Sequence, residues 1–155
     1  MRAESPKRTA AGHDPDMHRL SEAQSQHHPD CFVCGRHCAH GLGMSFQLGA
    51  DGSVESRVNC RALFQGYPGL MHGGIVSALL DGAMTNCLFA RGVKAMTGEL
   101  TVRFLSPVRT NCAAIVRAQA AKSRPPLYAL CAELIQDERV VARAVAKFME
   151  VSECA

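Results

Sequence analysis

Apolar and polar residues recur along this chain with two different periods, and the change between them divides it into elements. From Gly73 to Ala90 apolar residues cover every face of a helical period, which predicts a helix that must be covered all round. The Arg91-Gly92 pair that follows is a helix stop. Farther on, Leu100, Val102 and Phe104 alternate with Thr101 and Arg103, and Ala142, Ala144, Ala146 and Phe148 share one face. Strands are predicted over 96–105, 112–121, 127–136 and 140–150, the last pair joined by the turn Asp137-Glu138-Arg139. Before the helix, strands over 43–49 and 53–60 lie around the turn Ala50-Asp51-Gly52-Ser53, and Phe64-Gln65-Gly66-Tyr67-Pro68-Gly69 reads as a loop.

The order of two strands, one long apolar helix and four antiparallel strands predicts an α+β fold in which the sheet curves around the helix. Residues 1–30 hold four His, three Pro and a single Leu, with no Val, Ile, Phe or Tyr. They cannot bury enough apolar surface to offset ordering, and are expected to form a mobile tail with a short helical turn ahead of one domain over 31–155.

Composition adds limits. At 47% hydrophobic and 20% charged residues the chain reads as soluble and globular, and at 5% aromatic with no Trp its core rests on Leu, Val, Ile, Ala and Met. A dispersed net charge of +3 argues against nucleic acid as a partner and suits an anionic small substrate. No run reaches the roughly 18 apolar residues of a membrane span. The opening MRAESPKRTA lacks a signal-peptide apolar region, so a cytoplasmic location with the eight Cys as thiols is the expectation.

Asp81 is the single charge in the 73–90 run. A carboxylate in such surroundings costs several kcal/mol unless it is satisfied or used. The Gly73-Gly74 pair opens the same helix, and free N–H groups at a helix start favour developing negative charge. Base and anion cradle together point to acyl transfer. Asp81 lies eight residues past Gly73, about 12 Å along the axis, too far for both to act on one carbonyl. Two antiparallel copies about a two-fold axis would bring Gly73 of one to Asp81 of the other. Gly74, Ser77, Asp81, Thr85 and Leu88 share a stripe of mostly small or polar residues, where a substrate could lie. Asp81 is also compatible with a structural role, bonded to a nearby backbone group or a buried Arg.

CFVCGRHCAHGLGMSF, FQGYPGLMHGGIVSALLDGAM and GELTVRFLSPV together resemble the hotdog-fold thioesterases of the phenylacetic-acid-degradation type, over about residues 31–150. The resemblance implies hydrolysis of acyl-coenzyme A without metal or cofactor, by dimers or dimers of dimers. It implies that the Gly73 N–H polarises the thioester carbonyl and that Asp81 acts as general base or as nucleophile through an anhydride. His72 would shape the helix start, while Thr85 and Thr97 match positions where some relatives carry hydroxyls. Thr97 can serve only if a bulge, which Gly98 permits, turns it to the helix side. Gln65 stands one residue from the position of a carbonyl- or water-binding amide in many relatives. Gly82 replaces an acidic residue that relatives often carry.

Coenzyme A phosphates need cationic partners, for which Arg91, Lys94, Arg109, Lys122 and Arg124 lie near element ends. Lys122 and Arg124 precede Pro125-Pro126, where relatives usually have a Gly-Arg-Lys-like turn. Cys31 and Cys34, with His37, Cys38 and His40, have the side chains of a zinc site but cramped spacing, and are read as structural thiols, zinc being the alternative. Two rival functions are a dehydratase or hydratase on the same fold, whose His-Phe-Pro-type loop is missing, and an acyl-ligand-binding protein without turnover.

Overall fold

The computed structural model describes residues 15–152. In chain order it contains α1 (Pro15–His27), β1 (Gln47–Leu48), β2 (Val54–Asn59), a 3₁₀ turn (Ala62–Phe64), α2 (Gly73–Phe89), β3 (Ala95–Phe104), β4 (Ala113–Arg124), β5 (Leu127–Gln136) and β6 (Arg139–Glu150). The strands form one antiparallel sheet in the order β1-β2-β4-β5-β6-β3. The chain leaves β2 near one edge and re-enters the sheet at the opposite edge with β3. α2 makes that crossing and packs against β2, β3, β4, β5 and β6.

Residue size explains the close seating of α2. One row of the sheet runs Val54–Ala118–Ala132–Ala144–Val102 across five strands, with alanines at its centre. Their small side chains let the helix approach, and Leu79, Leu80, Ala83, Met84, Cys87 and Leu88 are almost wholly buried there. Burial of each Leu stabilises the fold by about 1.5–3 kcal/mol. The alternation predicted for the later strands is seen in β4, β5 and β6, whose buried residues recur at every second position.

Three features differ from the pattern-based expectation. The strand expected over 43–49 is only Gln47–Leu48, although Met44 and Phe46 are still buried. The helix expected to be covered all round is covered over 82–89, whereas Gly74 is exposed and Ser77, Ala78 and Asp81 are half-buried. The sheet, α1 and the turn around Val33 and Cys34 together enclose the far half of α2, while a face of the near half stays open. Finally, residues 15–27, placed in the expected tail with a short turn, form a 13-residue helix. It packs on α2, with Leu20 1% exposed in the core and Met17 and Ala23 partly buried beside it, so a few apolar residues anchor an otherwise polar segment. The expected tail over 1–14 lies outside the described residues. Among the described residues no helix is long and apolar enough to cross a membrane.

Candidate active site

The start of α2 is set by His72. Its backbone is extended (φ −64°, ψ 133°), and its Nδ1 accepts the Gly74 N–H at 2.9 Å. The loop before it is held by the His72 N–H donating to Phe64 O (2.9 Å) and the Met71 N–H to Val108 O (2.8 Å). With Gly74 engaged by the cap, the Gly73 N–H has no acceptor among the described residues. It is an unpaired donor at the positive end of a long helix. The Phe104 ring lies against Gly73, where a Cβ would come within 3.4 Å of it.

Two turns along, Asp81 is half-buried rather than sealed in the core. Thr97 Oγ1 donates to Asp81 Oδ1 at 2.7 Å. The β3–β6 ladder shifts register between Thr97 and Glu99, with Gly98 as the extra residue, and this bulge turns Thr97 to the α2 side. β3 thus runs back alongside α2, with Thr97 at Asp81 and Phe104 at Gly73.

The remaining candidates fall into different places. Ser77 Oγ and Thr85 Oγ1 donate to the carbonyls one turn earlier, Gly73 O (2.9 Å) and Asp81 O (3.1 Å), so both hydroxyls serve their own helix. Thr85 and Leu88 are buried, which leaves the stripe of small and polar residues open only at Gly74, Ser77 and Asp81. Gln65 Oε1 accepts the Gly69 N–H at 3.2 Å and shapes the loop before the helix. Gly82 has no room for a side chain, since a Cβ would come within 2.5 Å of Val33 Cγ1. Lys122 and Arg124 are exposed at the end of β4. Sheet register connects Thr97 through Phe148 and Tyr128 to Ser123, between them. Three strand spacings, about 14 Å, therefore separate these cations from the Thr97–Asp81 end. Arg109 is paired with Asp137.

Three buried thiols are poor nucleophiles: burial pushes Cys34 and Cys60 up to about 11 and raises Cys87 as well. Of the residues grouped by spacing for zinc, His37 and His40 are exposed and Cys38 lies under Gly41. Cys31 and Cys34 instead gather with His28. Spacing alone also missed Phe104. Alternation pointed it inward with Leu100 and Val102, yet it is 55% exposed at the free sheet edge.

Comparison with known proteins agrees with this architecture. The chain is 27% identical over 124 residues to acyl-coenzyme A thioesterase THEM4 of Rattus norvegicus, covering 75% of this chain and 52% of that protein. It spans about half the length of the curated relatives it matches. The PaaI protein of the E. coli phenylacetic acid degradation operon superposes with a TM-score of 0.74 at 18% identity, covering 87% of this chain and 95% of that one. A phenylacetic acid degradation-related protein of Ralstonia eutropha JMP134 superposes with a TM-score of 0.70 at 26% identity, covering 84% and 98%. These likenesses identify the wrapped helix as the hotdog fold of thioesterases. Residues 65–149, more than half of the chain and the part that carries Gly73, Asp81 and Thr97, match the acyl-CoA thioesterase N-terminal domain family, and the chain belongs to it.

Proposed function

We propose that this protein hydrolyses acyl-coenzyme A thioesters, with Asp81 and Gly73 from different copies of the chain completing each site. One observation carries the reading. The oriented carboxylate and an amide without an acceptor among the described residues lie at opposite ends of the same open helix face, each beside one end of the edge strand β3, which has no outer partner among those residues. β3 exposes Met96 and Phe104, with Leu105 just after it, and an edge strand offers a row of free backbone groups. Two β3 edges paired antiparallel about a two-fold near Leu100 place the Phe104 end of one beside the Thr97 end of the other. Gly73 of one copy then meets Asp81 of the other, which closes the gap of about 12 Å within a single helix.

In that site the thioester carbonyl oxygen receives the Gly73 N–H. Thr97 holds Asp81 Oδ1, leaving Oδ2 to take a proton from water as the water oxygen bonds to the carbonyl carbon. The negative charge that develops on the carbonyl oxygen faces the helix start. Collapse breaks the carbon–sulfur bond, releases coenzyme A and the free acid, and returns the proton to sulfur. Gly74 and Ser77 line the acyl path, while Lys122 and Arg124 meet the phosphates. His72 acts by capping: it leaves Gly73, and not Gly74, as the amide that faces the carbonyl.

Thiol release from aryl, short, medium and long acyl-coenzyme A tests this reading. It predicts cleavage that Asp81→Asn nearly abolishes in a folded protein. Water addition to an enoyl thioester without thiol release would replace it with a hydratase, and binding without turnover would replace it with an acyl-ligand carrier.

A further inference from the structure

We propose that His28, Cys31 and Cys34 bind a zinc ion that locks the segment between α1 and β1 onto α2. Their ligand atoms lie within 4.8 Å of one another, although His28 directly follows α1 and the two Cys lie in the turn beyond it. His28 Nδ1 and Cys34 Sγ are 3.7 Å apart. Zn–N and Zn–S bonds of about 2.0 and 2.3 Å in a tetrahedron give an N···S edge of about 3.5 Å. The 4.8 Å limit on the ligand separations exceeds that edge by about 1.3 Å, which a rotation of Cys31 can close.

Each sulfur accepts a hydrogen bond from a nearby N–H. The Val33 N–H donates to Cys31 Sγ (3.4 Å), and Asn86 Nδ2 donates to Cys34 Sγ (3.6 Å). Such donors orient metal-bound sulfur and stabilise its charge. Asn86 is fully buried, and it is fixed from the other side by Gln24 Nε2 donating to its Oδ1 at 2.6 Å. His28 is fixed by an edge-on contact with Phe89, ring centroids 4.8 Å apart. The turn itself needs a glycine. The Gly35 N–H donates to Cys31 O (2.8 Å), and a Cβ on Gly35 would lie 2.3 Å from Cys31 N. A cavity of ≈ 60 Å³ lies beside His28 and Cys34, with His37 also on its wall. It has room for a water as fourth ligand. Binding a dication displaces one proton from each thiol, so two thiolates balance its charge.

This cluster takes no part in thioester hydrolysis, but it borders the working face of α2. Val33, between the two Cys, packs on Gly82, the residue after Asp81. Asn86 joins Cys34 to α2 one turn farther on and also donates to Gly82 O at 2.8 Å. A metal here braces the helix beneath the carboxylate without touching substrate.

The full chain, expressed with zinc and freed of loose metal by gel filtration, should carry about one zinc per chain by elemental analysis. Cobalt exchanged into it should show sulfur-to-metal charge transfer and the intense visible bands of a tetrahedral ion. Cys31→Ser, at a half-buried position and so the safer substitution, should lose the charge-transfer intensity by about half and lower zinc occupancy at least tenfold under a chelator. Zinc retained equally by a Cys31→Ser/Cys34→Ser double variant would assign the metal to exposed histidines and overturn the proposal. A native protein lighter by two hydrogens, with Cys31 and Cys34 in one disulfide-linked peptide, would also overturn it. Thioesterase activity is a separate readout, so a failure of the catalytic reading leaves this test intact.

Discussion

Thr97 reaches Asp81 across sixteen residues of chain, its hydroxyl 2.7 Å from one carboxylate oxygen. The contact exists because Gly98 breaks the pleat of β3. Without the bulge the alternation that carries Leu100 and Val102 inward would turn the residues at 97 and 98 the other way. The proposed base is thus positioned by the edge strand that the proposed dimer would pair.

Removing this hydroxyl should cost about 1.5–3 kcal/mol, the worth of a hydrogen bond to a charged group. Thr97→Val is therefore expected to lower kcat by about 10- to 100-fold. Thr97→Ser should keep most of the activity. Asp81→Asn should lose more, on the order of 100- to 10,000-fold. Steady-state thiol release, with circular dichroism as the folding control, checks the series. Equal activity of the Val variant and the native chain would remove Thr97 from the mechanism.

Shared sites make a counting prediction. Gly73→Pro removes the proposed amide donor at the first helical position, where proline is tolerated. Mixed in equal amounts with Asp81→Asn chains and allowed to exchange, half the dimers are hybrids, each with one intact site. Activity should return to about a quarter of the native level. Sites contained within one chain would give no recovery.

The role of the carboxylate can be read from oxygen. During a single turnover in ¹⁸O-water, a general base leaves Asp81 unlabelled and puts the label in the released acid. A nucleophile forming an anhydride would instead leave ¹⁸O on Asp81 when water attacks its side. The Thr97 bond, which holds one oxygen and leaves the other to water, favours the first outcome.

Packing of the N-terminal helix and the turn after it is testable by denaturant unfolding. Leu20 is 1% exposed, so Leu20→Ala should destabilise the fold by about 2–5 kcal/mol if α1 is an integral element. Gly82→Ala should also destabilise, although alanine is the better helix former. Val33 is stiff and fills the space, and overpacking of this kind costs about 1–3 kcal/mol. Pairing Gly82→Ala with Val33→Ala should relieve the clash and give a double-mutant coupling of the opposite sign.

Cysteine reactivity follows from burial. The charged thiolate is disfavoured in the core, which raises Cys60 from an ordinary 9.0 to about 11. At about pH 8 its thiolate fraction falls about 100-fold relative to a free thiol, and shielding slows it further. Alkylation of native protein followed by peptide mass analysis should find Cys60 modified at least 100-fold more slowly than in denaturant.

Periodicity alone located α2 and the four later strands, because a buried helix and a half-buried strand impose local spacings of apolar residues that a reader can count. The same spacing marked Asp81 and the glycines at the helix start, and simple helix geometry showed that they cannot meet within one chain. What sequence could not determine lies in contacts between distant segments. Thr97 joins Asp81 only because a bulge and a sheet order bring β3 beside α2. Phe104 reaches Gly73 for the same reason, and Thr85 is buried with its hydroxyl bonded to its own helix. Residues 15–27 look too polar to fold alone, yet a helix buries one leucine against a surface that exists only once α2 is in place. Local pattern sets which element forms. Which side chains share a site depends on where the tertiary fold crosses the chain over itself.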